Sequence, residues 1–229
     1  MKKGICVFCG EEAELTDDHI PPKSIYPKSI RSSLKKMNTE NACWSCNNGS
    51  KVEDELFKVF VGIVGLPVWR EELEESVDRT LKTNIKLSNE LESNTKIYNE
   101  ASENGNTKVI ISTAMTNSQR DMLIEVVKKC AMAFFYKAYG KIMKFERSAS
   151  LVNPSGFYSQ QLEEFEYEIS KASWGSVNAN TCNYAFLALK NSDILFVLKL
   201  YGNIEFFLLL RSHNFNSKIY DLKLCTLNE

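Results

Sequence analysis

Histidine is nearly absent from this chain: two in 229 residues, His19 and His213. Any chemistry that needs an imidazole has only those two places to reside. An excess of charge of either sign is missing as well. Lysine and arginine total 28 against 29 aspartates and glutamates, a formal net charge of −1, which excludes a generally basic coat for polyanions. Long apolar runs are lacking. The longest, such as Ile194–Leu198 and Ile204–Leu210, are broken by charge or glycine well short of the roughly 20 residues that cross a bilayer. The opening Met1-Lys2-Lys3-Gly4-Ile5-Cys6 leaves no room for the apolar stretch of a signal peptide, so a cytoplasmic location with no membrane partner is expected. No internal repeat or low-complexity tract is present. A hydrophobic fraction of 44% and a charged fraction of 25% are those of a folded chain rather than a disordered one.

Cysteine, by contrast, is informative. Four of the seven fall in two knuckles, Cys6-Val7-Phe8-Cys9 and Cys43-Trp44-Ser45-Cys46. Each knuckle puts two thiolates on one tight turn, and two knuckles suit one tetrahedral zinc. Such a site is closed at four thiolates and therefore structural. Cys130, Cys182 and Cys225 are scattered among apolar residues, as buried free thiols usually are. A reducing compartment with a single zinc site accounts for this pattern better than a disulfide framework does.

The chain divides into two units, with an α+β fold overall. Residues 1–55 are expected to form a small zinc-stapled module. The segment up to residue 51 is turn-rich and too poor in apolar runs to fold without a metal. Residues 56–229 are expected to form an α+β domain with its own core. Ser50 and Glu53 read as a capping box opening a helix that carries Leu56, Phe57, Phe60, Val61 and Val64, ended by Gly65-Leu66-Pro67. A second, charged helix follows over 68–81, then a polar stretch over 86–106 that reads as a loop or hairpin rim. Val109–Thr113 reads as a strand. A long helix is expected from about 118 to 143, with Leu123, Val126, Val127, Cys130, Phe134, Ala138 and Ile142 as its apolar stripe, and a shorter helix over 162–170. Tyr184–Leu189, Ile194–Tyr201 and Ile204–Arg211 then read as an antiparallel β-meander with hairpin turns.

The candidate chemistry lies inside the cysteine frame. His19 stands ten residues beyond Cys9, directly after Asp17-Asp18 and before Ile20-Pro21-Pro22, on an expected strand. Strand alternation would send Asp18 and His19 to opposite sides unless the chain bends there. Asn47 directly follows Cys46 in the first turn of a helix. There it is either an N-cap or an amide-oxygen ligand to a hard cation beside Asp18, the donor chemistry of Mg²⁺. Lys51, one turn on, is placed to face a phosphate at the same cation. Between Ile20 and Lys51, Lys23, Lys28, Arg31, Lys35, Lys36 and Lys51 face a single acid, Glu40, so the segment is locally basic. His213 has no accompanying carboxylate or cysteine pattern and reads as a surface-turn residue.

Cys-x-x-Cys, then Asp18-His19-Ile20-Pro21, then Asn38, then Cys-x-x-Cys-Asn47 with Lys51 after it resembles the HNH (His-Me finger, ββα-metal) endonucleases. The resemblance covers roughly residues 6–55. It implies a treble-clef-like ββα-metal module in which Asp18 ligates a catalytic metal and His19 is the general base. Asn38 would orient the hairpin, and Cys6, Cys9, Cys43 and Cys46 would hold structural zinc. The commonest form of the family has a histidine where Asn47 stands here; Asp-His…Asn is similar to the variant in phage resolvases of the endonuclease VII type. An amide oxygen is harder than imidazole, so the variant points to Mg²⁺ or Mn²⁺ as catalytic cation. What the resemblance implies is metal-dependent hydrolysis of phosphodiesters in nucleic acid, DNA above all, with Lys23 and Lys51 at substrate phosphates. The second unit would supply target choice, a protein partner or a homodimer interface. The competing class is a non-catalytic zinc module, binding nucleic acid or protein, on an α+β binding domain.

Overall fold

The computed structural model describes residues 2–64, 70–101, 107–143, 149–152, 159–189 and 193–211. The expected break at 65–67, His213 and Cys225 lie outside them.

Three strands open the chain: β1 (Lys2–Ile5), β2 (Glu12–His19) and, after a 3-10 turn at Lys23–Ile25 and a short helix α1 (Lys28–Ser33), β3 (Thr39–Cys43). They form one antiparallel sheet in the order β1-β2-β3, with Leu15 opposite Cys43 and His19 opposite Thr39. The register runs unbroken to His19, so strand alternation holds there, without a bend. Helix α2 (Trp44–Asn48) follows β3 directly, and α3 (Lys51–Val64) begins after Gly49-Ser50.

Helices α4 (Arg70–Thr83) and α5 (Ile85–Ser93) come next, then a hairpin of β4 (Thr95–Ala101) and β5 (Thr107–Thr113). The described part of the polar 86–106 stretch, up to Ala101, is thus most of a helix followed by one strand of a hairpin, so the hairpin expectation holds for its second half and a helix stands where a loop was the alternative. The Asn84 side chain caps α5 by accepting from the Leu87 amide at 3.1 Å, and Leu87 is buried, leaning on a neighbouring core rather than one of its own. Helix α6 (Asn117–Tyr139) opens with a complete capping box, Thr116 with Gln119, and stops at Gly140 in the left-handed region (φ 66°). Glycine therefore ends the helix before Ile142, which the apolar stripe alone would have included.

β6 (Ala149–Val152), α7 (Ser159–Ser170), β7 (Gly175–Val177), β8 (Cys182–Ala188), β9 (Ile194–Leu200) and β10 (Ile204–Leu210) complete the described chain. The last three strands form the expected meander, and β6 and β7 extend it to a five-stranded antiparallel sheet, β6-β10-β9-β8-β7. Alternation assigns its two faces. Tyr184, Phe186, Phe196, Leu198 and Leu208 join the main core beneath α6 and α3, while Ala185, Leu187, Leu195, Val197 and Phe207 pack against Phe165 of α7. A sheet covered on both faces needs apolar residues at every position, which is why these strands read as continuous apolar runs. Phe134 of α6 stacks flat on Tyr184 at 4.2 Å between ring centroids, and Phe135 meets Phe186 edge-on at 5.7 Å.

The two expected units share this core. Ile20, Ile25, Tyr26 and Ile30 are buried in one cluster with Phe57, Val126, Cys130, Leu200 and Tyr201. The Tyr201 hydroxyl donates to the Ile25 carbonyl at 2.9 Å. Among the described residues no helix is long and apolar enough to cross a membrane.

Candidate functional site

The knuckles close first. The Cys6 carbonyl accepts from the Gly10 amide at 2.9 Å, with Gly10 at φ 76°, which turns Cys6 and Cys9 to one side. Val7 donates to the Asn41 carbonyl at 3.0 Å, pinning the first knuckle against β3, whose end carries the second. The four sulfurs of Cys6, Cys9, Cys43 and Cys46 lie within 4.8 Å of one another, with Cys9 and Cys43 3.9 Å apart. Tetrahedral zinc with Zn–S near 2.3 Å separates its sulfurs by about 3.8 Å, so the cluster can hold such a metal. The Ser45 hydroxyl lies 3.1 Å from the Cys43 sulfur, and its hydrogen bond lowers that thiol's pKa, while burial raises those of Cys9 and Cys46. Among the described residues Cys130 and Cys182 are buried elsewhere as free thiols.

Beyond the knuckles, β2 carries Asp17, Asp18 and His19 in succession. Asp18 is buried and His19, the last strand residue, half-buried. Burial, followed by the nearby Lys23 ammonium, lowers the His19 pKa from its ordinary value against the pull of Asp18 and Asp17, so its neutral form is favoured near neutral pH. Asn47 turns its amide nitrogen to β2, donating to the Thr16 hydroxyl at 2.9 Å and to the Asp17 carbonyl at 3.3 Å. Thr16 spends its own proton on the Ala42 carbonyl at 3.1 Å, so it can only accept from Asn47. The Asn47 oxygen therefore faces away from β2, and it has no donor among the described residues.

Asn38 holds the strand end. Its carbonyl accepts from the Ile20 amide at 3.1 Å and its side-chain nitrogen donates to the Ile20 carbonyl at 3.0 Å. Its own amide donates to Asn178 at 2.8 Å, and Lys137 of α6 donates to its side-chain oxygen at 2.5 Å. Lys23 and Lys51 are both exposed.

Asp18 points the other way, toward α6. Its Oδ2 lies 2.6 Å from Lys129 Nζ. The same ammonium donates to the Cys46 carbonyl and the Ser50 hydroxyl, each at 2.9 Å, and sits 5.2 Å from the centre of the Phe8 ring. Ser50 thus takes the Lys129 ammonium, and no capping bond between it and Glu53 is present among the described residues. One turn beyond Ser50, Asp54 Oδ1 is buried without a hydrogen-bond partner. Burial raises both carboxyls, with Lys129 opposing, and takes Asp54 to about 6.

Sequence reasoning missed Lys129, Lys137, Asp54 and Asn178. The signals were present but faint. Lys129 and Lys137 stand eight residues apart, two turns along one side of the α6 stripe, and Cys46, Ser50 and Asp54 repeat every four residues. Compared with family models, with curated proteins and with solved structures, the chain matches none.

Proposed function

We propose that the chain is a metal-dependent endonuclease that hydrolyses phosphodiester bonds in DNA, with His19 as general base. The observation that supports this best is a half-exposed His19, biased to its neutral form, at an Asn38-anchored strand end, on the strand whose Leu15 pairs with Cys43 of the four-cysteine cluster. Zinc in that cluster would fix β2 against α2 and leave no open coordination position for catalysis.

The hard oxygens of Asp18 and Asn47 fit a Mg²⁺ or Mn²⁺ ion in kind, because one is a carboxylate and the other an amide oxygen free of β2. Such an ion would supply charge stabilisation for the pentacovalent phosphorus and the leaving 3′-oxygen. Neutral His19 takes the proton of a water aligned for in-line attack. Asn38, bonded to both polar groups of the Ile20 backbone, keeps the end of β2 from shifting during that transfer. Lys23 and Lys51, exposed near this strand and at the start of α3, supply charge for substrate phosphates. The α+β unit would serve target choice, a partner or dimerisation.

One observation favours a second reading, a zinc module that binds nucleic acid or protein without cutting: Asp18 is already ion-paired with Lys129. Plasmid DNA incubated with the zinc-loaded chain and Mg²⁺ or Mn²⁺ separates the two. Nicking that disappears with EDTA and in His19→Ala supports the nuclease, and DNA binding without nicking supports the module.

A further inference from the structure

The Lys129 ammonium is enclosed as a metal cation would be. Its N–H groups donate to the Cys46 carbonyl and the Ser50 hydroxyl, each at 2.9 Å, and its charge lies 2.6 Å from Asp18 Oδ2 in an ion pair, above the face of Phe8. These oxygens come from β2, the second knuckle and the entry to α3, while the lysine reaches in from α6. The charge around it does not balance. Asp18 is 7% exposed, and Asp54, one turn beyond Ser50, carries a buried Oδ1 that no donor reaches. Asp18 Oδ2 and Asp54 Oδ1 are thus two buried carboxyl oxygens without a hydrogen-bond donor among the described residues, with the Lys129 ammonium ion-paired to the first alone, and an unpaired buried carboxylate is costly. Every candidate donor here is a hard oxygen, the set preferred by Mg²⁺ and Mn²⁺. A cleft lined by Phe8, Cys46, Ser50, Glu53 and Lys129 leads to it.

We propose that Asp18, Asp54, the Ser50 hydroxyl and the Cys46 carbonyl form a divalent-cation seat in which Lys129 is the resident counter-ion, so that cation binding and lysine seating exclude each other. This rests on the nuclease reading, keeps Asp18 as ligand to its cation, and puts Asp54, the Ser50 hydroxyl and the Cys46 carbonyl in the place given to Asn47. Lys129 then sets the cation's apparent affinity, because a bound ion must displace the ammonium and a +2 charge answers both carboxylates where +1 answers one. Glu53, adjacent to Asp54 and on the cleft wall, adds negative charge from the solvent side.

The test uses the full-length, zinc-loaded chain. In the wild type, amine acetylation read by mass spectrometry should increase at least five-fold at Lys129 when saturating Mn²⁺ is added, with partly exposed Lys128 as reference. Mn²⁺ titration followed by electron paramagnetic resonance should show at least ten-fold tighter binding in Lys129→Met and at least ten-fold weaker binding in Asp54→Asn, both with unchanged zinc content. Unchanged Lys129 acetylation while Mn²⁺ is bound overturns the proposal even if Lys129→Met does not fold, and so does an absence of Mn²⁺ binding in the wild type. If these shifts appear but no His19-dependent cleavage does, the nuclease reading fails and the seat stands. If cleavage is His19-dependent and the shifts are missing, only the seat fails.

Discussion

The backbone amide of Asn38 donates to the side-chain oxygen of Asn178 at 2.8 Å, joining positions 140 residues apart. Asn178 in turn donates to the buried Tyr26 hydroxyl at 2.9 Å, and it does so from the left-handed region (φ 52°) at the start of a turn on which Ala179 and Asn180 follow in the same region. The strand end bearing His19 is thereby fastened to the turn that leads into β8. Asn178→Gly keeps the backbone conformation available and removes both bonds. It should cost about 2 kcal/mol in denaturant unfolding, roughly 1 kcal/mol per hydrogen bond. If His19 is the base, cleavage should fall mainly in kcat, with KM little changed.

His19→Ala should lower cleavage by about 10²–10⁴-fold, the usual contribution of a positioned base. Zinc content and the circular dichroism spectrum should match the wild type. A variant that still cuts at the wild-type rate removes His19 from the mechanism.

The pH dependence follows from the direction of the His19 shift. Burial and Lys23 disfavour its protonated form, so the neutral base persists to lower pH than in a free histidine. A bound divalent cation would push the same way. Cleavage should therefore rise with pH along an acid limb whose midpoint lies below the ordinary value near 6.5. Initial rates between pH 5 and 8 measure it, and a midpoint above 6.5 would contradict the assignment.

Cys9→Ser should empty the knuckle cluster of zinc, because three thiolates and a hydroxyl replace a closed thiolate set. Folding energy held in structural zinc is on the order of 10–16 kcal/mol in small fingers, and losing a ligand should forfeit several kcal/mol here. Metal analysis and thermal melting would report it. Cys130→Ser, at a fully buried thiol in the α6 core, should keep its zinc and lose only packing stability.

Much of the scaffold was legible in the chain itself. Two knuckles read as one metal cluster because their spacing is local, and the sulfurs do converge. The β8-β9-β10 runs were legible because a sheet buried on both faces leaves a continuous apolar signature. The α5 helix was not, since its polar composition hides a narrow face of Leu87 and Leu91 behind the Asn84 cap. The end of α6 differs from the expected one for a related reason: the apolar stripe continues to Ile142, while the backbone turns at Gly140.

The site divides along the same line. Local sequence was enough to mark Asp18, His19 and Asn47 as candidates, since their residue types and spacing lie within 30 positions of one another, and the family resemblance added Asn38. It also posed the question of alternation between Asp18 and His19. Only the folded chain answers it. An unbroken β2–β3 register sends Asp18 inward, and α6, more than 100 residues later, delivers Lys129 to its carboxylate at 2.6 Å. Spacing along a chain specifies what a turn, strand or knuckle can hold. The counter-charge a buried carboxylate meets depends on which distant element packs over it, and that is decided by the shared core that draws Ile20 and Tyr26 under α6.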